Sequence, residues 1–199
     1  MENPELIHRQ PMDVMEAIYN RRAVRDYLPK KVDTAIIHQL LDAAIQAPSA
    51  LHEESRAFVV IQNKHLLDRL SESAKLIITK EPKNNKDLQF AHVLETVQHK
   101  EFNVFYNAQT LIVVYSRFKG QHVNADCWLA AENIMLSALA YGLASCAIGF
   151  SIAALNLPEW KEELGVPKKM TAVAPIIIGW PAREVLPPPR QPPMILEWK

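Results

Sequence analysis

Residues 124–149 read NADCWLAAENIMLSALAYGLASCAIG, and the way this stretch is accommodated decides the fold. Its first part, 124–141, has helical composition and is apolar on nearly every side, so the spacing predicts a long helix at the centre of something. Gly142 is the natural stop, because a left-handed cap residue is cheapest as glycine. The stretch belongs to a longer run, 133–158, that goes 26 residues without a charge and so meets the length criterion for a membrane span. Two features argue for a buried core instead: Gly142, Ser145, Gly149 and Ser151 interrupt the run, and the nearest flanking charges, Glu132 and Glu159, are acidic where an oriented span would carry a basic cluster.

Outward from this centre the periodicity alternates between helix and strand. Asp13 is a good N-cap for a first helix with Val14, Ala17 and Ile18 on one face. Asp33 opens a second helix with Ile36, Ile37, Leu40, Leu41, Ala44 and Ile45 at helical spacing, and Pro48 stops it. Residues 57–61, AFVVI, are too short for a helix and rich in strand formers. A third helix follows over about 65–78, the polar window 80–87 reads as a loop, and 88–105 shows a weaker helical pattern with the character of a lid. Residues 110–115 and 172–178 read as strands, with a short helix from Pro158 to about 164 between them. From 181 onward the chain holds six of its 14 prolines, so 181–199 is an extended arm, and apolar Met194, Ile195, Leu196 and Trp198 suit it for docking on another subunit. The pattern predicts one α+β domain over 1–199, with no internal repeat.

Composition removes whole classes of function. The chain has 199 residues, with 22 basic and 22 acidic side chains and a pI near 7.1. No global field draws it to nucleic acid or an anionic membrane, so any anion must be held locally. Two cysteines, Cys127 and Cys146, make no disulfide framework, and the sequence opens without a secretory leader, which together imply a cytoplasmic protein. The five glycines form no GxG pair, excluding a dinucleotide fingerprint, a Walker loop and a GxSxG elbow. HExxH is absent, no cysteines stand at metal-binding spacing, and the seven histidines are scattered, so no metal is expected. What remains is Arg21, Arg22 and Arg25, three cations within five residues at a helix end. Complementing a helix dipole asks for one or two, so the cluster points to a phosphorylated small molecule held by charge-assisted hydrogen bonds.

Four blocks, in this order, carry a resemblance: RRAVRDY from Arg21, AAIQAPSALHEESRAFVVI from Ala43, GLASCAIG from Gly142, and PIIIGWP with the later PPPR. Together they resemble the FMN-dependent nitroreductase family over about residues 12–198. The resemblance implies a nitroreductase-like α+β fold: a central mixed, mainly antiparallel sheet flanked by helices, a long buried dimer-interface helix, and the arm packed on the partner subunit. It implies that Arg21, Arg22 and Arg25 contact the phosphate and the pyrimidine side of FMN. Ala23 stands where the family carries a serine, leaving only a backbone N–H. Pro48, Ser49 and Ala50 match the segment that reaches the flavin of the partner subunit. Ala147, Ile148 and Gly149 match the segment that packs on the flavin and directs a backbone N–H toward its reactive nitrogen. Arg190 matches a late phosphate-binding arginine, with Arg183 as a competing candidate.

At a second place, besides Ala23, the chain departs from the family. Nitroreductases continue the second block as N-x-Q-P-W, whereas this sequence has His52, Glu53, Glu54, Ser55 and Arg56. The H-x-E pattern is similar to the iodotyrosine deiodinase-like branch, but Pro-Trp is usual there too. His52, Glu54 and Arg56 are thus expected to line the substrate pocket. The resemblance implies a homodimer in which NADH or NADPH reduces FMN, and FMN then reduces a nitroaromatic, a quinone or a similar small electrophile, with no catalytic side chain needed. Specialised flavin chemistry such as reductive dehalogenation, and flavin binding without turnover, are the alternatives.

Overall fold

Alternation along one strand sets the layering of the molecule. The computed structural model describes residues 12–50, 54–80, 94–120, 122–186 and 188–199. In chain order the elements are α1 (Val14–Asn20), α2 (Thr34–Ile45), β1 (Arg56–Ile61), α3 (Lys64–Lys80), β2 (Thr110–Ser116), α4 (Val123–Leu139), β3 (Ala144–Ala147), α5 (Ile152–Leu155), α6 (Pro158–Glu163) and β4 (Thr171–Gly179). Every residue of β2 is buried. Leu111, Val113 and Tyr115 face one core cluster, with Leu67, Leu70 and Ala74 of α3 and Leu155 and Trp160 from α5 and α6. Ile112 and Val114 face the other, with Ile36, Ile37 and Leu40 of α2 and Ala130, Ala131 and Ile134 of α4. A strand with a period of two can be apolar throughout only when both faces are covered, and here helices cover both.

The sheet has four strands in the order β1-β2-β4-β3, all antiparallel. Its register slips once, where Val114 pairs with Ala174 and Tyr115 with Ala172. The extra residue, Val173, reverses the alternation of β4, so that Ala172 joins one cluster and Val173 and Ala174 the other. Among the described residues the only parallel pairing outside the named strands is a single bridge between Ala23 and Ser145, which is all that remains there of the expected mixed sheet.

The helix ends follow the sequence chemistry. Asp13 accepts from the Met15 N–H at 2.8 Å and Asp33 from the Ala35 N–H at 2.7 Å, each cap contributing about 1 kcal/mol. Gly142 takes φ +68°, and the Leu143 N–H reaches back to the Ala138 carbonyl at 3.0 Å, closing α4 in a Schellman turn. Among the described residues no helix is long and apolar enough to cross a membrane. The uncharged run folds instead as the end of α4, β3 and α5 against the sheet.

Three local expectations are corrected. Residues 144–147, to which the sequence pattern assigns no element, form the edge strand β3, because pairing with β4 makes a strand of a short run of small residues that has no propensity signal of its own. The helical pattern of 88–105 yields helix only over 94–98 among the described residues, followed by turns. There the Asn103 side chain accepts from the Phe105 N–H at 2.9 Å, the local competition by which asparagine unseats a helix. Finally, α1 buries only Ala17, leaving Val14 63% and Tyr19 68% exposed beside exposed Met15 and Ile18.

Candidate functional site

Past α1 the backbone turns extended at Arg21 and lies along β3. The Val24 N–H donates to the Ser145 carbonyl at 3.1 Å, and the Leu28 N–H to the Trp180 carbonyl at 2.9 Å. Val24 and Tyr27 plug this segment into the core, and the Tyr27 hydroxyl donates to the Val24 carbonyl at 2.7 Å. Burial pushes the Tyr27 phenol far above its ordinary range, so it stays a neutral donor at any physiological pH. Gly179 leaves room for the ring: a Cβ there would stand 2.9 Å from Tyr27 Cδ1. The segment is thereby fixed with Arg21, Ala23 and Arg25 alternating away from the buried side.

Arg21 and Arg25 are lightly paired. Arg21 Nε stands 3.4 Å from Glu132 Oε1 on α4, and the Arg25 guanidinium lies 5.7 Å from the Tyr106 ring centroid. Both are close enough to Cys146 on β3 for their charge to oppose burial, which nevertheless pushes that thiol upward. The structure thus brings Arg21 and Arg25 to the same strand that ends at Ala147. Ala147 is exposed, the Ile148 N–H is spent on the Pro175 carbonyl at 2.9 Å, and Gly149 is exposed with open space where a side chain would be. Of the three residues, Ala147 and Gly149 are the exposed ones.

Arg22 takes the other side of the segment. Its Nη1 donates to the Arg21 carbonyl at 2.8 Å, and its buried Nε is without a partner. It lines a cleft of about 310 Å³ with Asn20, Gly142, Pro181 and Arg183. Arg183 Nε in turn lies 3.0 Å from Asp26 Oδ2. Arg190 is on the exposed arm, engaged by no hydrogen bond or ion pair among the described residues. Within one chain, then, Arg22 and Arg190 do not join Arg21 and Arg25.

A second cluster surrounds the turn after α2. Pro48 is exposed, and Ser49 and Ala50 are partly so. The Ala50 N–H donates to Asp126 Oδ1 at 3.2 Å, and Ser55 Oγ donates to Asp126 Oδ2 at 2.8 Å. Arg56 Nη1 donates to the Ala47 carbonyl at 2.9 Å and lies 3.5 Å from that of Pro48. Arg117 Nη1 donates to the Glu54 carbonyl at 2.9 Å and lies 3.6 Å from the Glu54 carboxylate. Asp126 is only 4% exposed. Beside it the Cys127 thiol is pushed up to about 11 by burial first and the Asp126 charge second, with Arg56 pulling the other way. His52 lies outside the described residues.

Sequence reading missed several residues that shape these clusters. Asp126 and Glu132 are helix positions on α4, remote in sequence from the groups they meet. Tyr106 and Asn107 adopt φ of 50° and 57°, which a bulky tyrosine does only where its surroundings hold it, and such positions gather at functional sites. Phe102 meets the Tyr106 ring edge-on at 5.6 Å, and the Ser71 hydroxyl accepts from the Val104 N–H at 2.9 Å, tying the turn to α3. No composition or spacing signal marks a left-handed tyrosine. Among the described residues no group of three or more histidine, cysteine or acidic side chains forms a metal site.

Comparison with known proteins puts this arrangement in context. The sequence profile of the Nitroreductase family matches residues 18–180. A protein of Archaeoglobus fulgidus, provisionally named an NADH dehydrogenase/NAD(P)H nitroreductase, is 26% identical over 177 residues, covering 86% of this chain and 87% of the relative. The solved structure of a nitroreductase with bound FMN from Bacteroides fragilis superposes with a TM-score of 0.80 at 28% identity, covering 94% of this chain and all of that one. An FMN-bound nitroreductase from Desulfitobacterium hafniense shares the fold, with a TM-score of 0.77 at 21% identity over 92% of this chain and 96% of that one.

Proposed function

This chain belongs to the nitroreductase family, and from that membership and the site geometry we propose that it is an FMN-dependent oxidoreductase, driven by NADH or NADPH, that reduces nitroaromatics, quinones or similar small electrophiles. The observation that carries the reading is the pair Arg21 and Arg25, anchored beside the end of β3 with their charge largely uncompensated among the described residues. The donor set fits FMN: two guanidiniums suit a phosphate dianion and a ring that gains negative charge on reduction, and the exposed backbone at Ala147 and Gly149 lets a planar ligand approach closely. When bound, FMN supplies the two-electron relay between nicotinamide and acceptor.

The chain's own part is to hold and bias that relay. Arg21, joined by Arg190 once the arm is seated, would hold the phosphate, with Arg22 closing the helix end behind it. Arg25, steadied by the Tyr106 ring, would favour a reduced, anionic ring. Ala23 contributes no hydroxyl, so the arginines carry the binding.

The reading includes a homodimer of one-domain chains. Pro48, Ser49 and Ala50 would complete the partner's site, and α4 with the arm of residues 181–199 would make much of the contact. Exposed apolar surface supports it: the outer face of α1, Trp128 and Leu129 on α4, a groove of about 300 Å³ between α1, α2 and α4, and an arm whose Trp198 is 87% exposed. Such patches mark interfaces in proteins of this size. The test is steady-state NAD(P)H oxidation by FMN-loaded protein across a panel of nitroaromatics and quinones, with light scattering for mass. Turnover by a dimer is the expected result; FMN fully bound with no acceptor-dependent oxidation would overturn the activity.

A further inference from the structure

Ser55 and Arg56 enter and open β1, and their surroundings show what they accomplish. Asp126 is a buried carboxylate, costly to keep charged unless its oxygens are satisfied. Both are: Oδ2 accepts from Ser55 and Oδ1 from the backbone of Ala50. A proline at 55 has no hydroxyl to offer Asp126. Arg56 supplies the nearby positive charge and spends Nη1 on the last carbonyls after α2, those of Ala47 and Pro48. A tryptophan at 56 has one N–H donor in place of the guanidinium fork and no charge. Residues 55, 56 and 126 are therefore a chemically interdependent set, and the set grips both ends of the same turn: the carbonyls that enter it and the N–H that leaves it.

We propose that Asp126, Ser55 and Arg56 are positioning residues that hold the Pro48–Ser49–Ala50 turn in the shape in which it completes the partner's FMN site; this rests on the functional reading above. Arg56 accordingly acts through the turn. The grip reaches the flavin only through backbone, so its loss should change how FMN is held and oriented more than it changes whether the chain folds.

The experiment measures three quantities on the full-length protein: the FMN dissociation constant, the visible circular dichroism of bound flavin, and amide exchange at residues 49–50. Asp126→Ala should speed exchange at Ala50 and weaken FMN binding, each by about tenfold, because a charge-assisted bond is lost at each end of the carboxylate. The flavin dichroism should change with them. Asp126→Asn, which keeps an accepting oxygen, should recover part of each effect, and Arg56→Lys, which keeps the charge but loses the fork, should give a smaller change in the same direction as Asp126→Ala. Should Asp126→Ala fail to fold, Ser55→Ala removes one donor only and should give about a threefold change in the same direction. Lower thermal stability with unchanged FMN affinity, dichroism and Ala50 exchange would reduce these residues to ordinary scaffold and overturn the proposal. If the wild-type protein binds no FMN, the functional reading fails and amide exchange alone decides whether the grip exists, unchanged exchange in the variant overturning it.

Discussion

The segment 21–27 and the cluster of residues 47–50 with 54–56 both lean on α4, yet they treat their polar groups in opposite ways. In the first, among the described residues, Arg21 has only Glu132 at 3.4 Å and Arg25 only an aromatic ring. In the second, Asp126, Ser55 and Arg56 all find partners at 2.8 to 3.2 Å within the chain. Six residues separate Asp126 from Glu132 along α4, about 9 Å of helix rise, so one element backs both clusters. A segment that anchors its backbone and leaves its cations unspent is built to meet a ligand; a segment that spends its cations on its own carbonyls is built to hold a shape.

The largest test of that contrast is to remove an unspent cation. Arg21→Ala or Arg190→Ala should weaken FMN binding by roughly ten- to a hundredfold, the equivalent of about 1.5–3 kcal/mol for a charge-assisted hydrogen bond. Fluorescence titration reads this directly, and unchanged affinity in both variants would erase the distinction. Next comes the anchoring behind the cations. Gly179→Ala places a methyl group 2.9 Å from a Tyr27 ring already fixed by its hydroxyl, so overpacking should cost about 1–3 kcal/mol and lower the melting temperature by several degrees.

A pH effect sharpens the other side of the comparison. The Cys127 thiol, next to Asp126, titrates near 9 when unperturbed and at about 11 in the folded protein. Its folded form keeps a proton that the unfolded chain releases, so the contribution is complete below pH 9 and is lost as pH rises through 11. Denaturant unfolding should show stability falling across that window, and Cys127→Ala should flatten the fall. The smallest effect is expected at Arg183, whose exposed pair with Asp26 contributes less than about 1 kcal/mol, so Arg183→Ala should leave the melting temperature nearly unchanged.

Much of this architecture was legible because it rests on local rules. Asp13, Asp33, Gly142 and Pro158 mark helix ends that the structure reproduces, and alternation of apolar runs locates β1, β2 and β4. Residues 144–147 escaped notice because ASCA becomes a strand through its neighbour β4 and not through its own side chains. In the candidate site the cationic segment was visible as three arginines in five residues, but its two-sidedness was not. Only the bridge to Ser145 and the burial of Val24 and Tyr27 reveal that Arg22 faces a different cleft from Arg21 and Arg25. Ser55 and Arg56 stood out as departures from a pattern, whereas their purpose depends on Asp126, which lies 71 positions from Ser55 and 76 from Ala50. Spacing carries information within a helix or strand; a hydrogen bond across seventy residues leaves no trace in it.

The central claim is that Arg21 and Arg25 keep their charge for a flavin that this chain reduces and reoxidises. The visible absorption spectrum of the FMN-reconstituted protein, recorded before and after anaerobic addition of NADH and NADPH, tests it most directly. The account predicts a bound flavin spectrum that bleaches with at least one nicotinamide and returns when a nitroaromatic or quinone is added. Absence of FMN binding, or a bound flavin that neither nicotinamide bleaches, would contradict it.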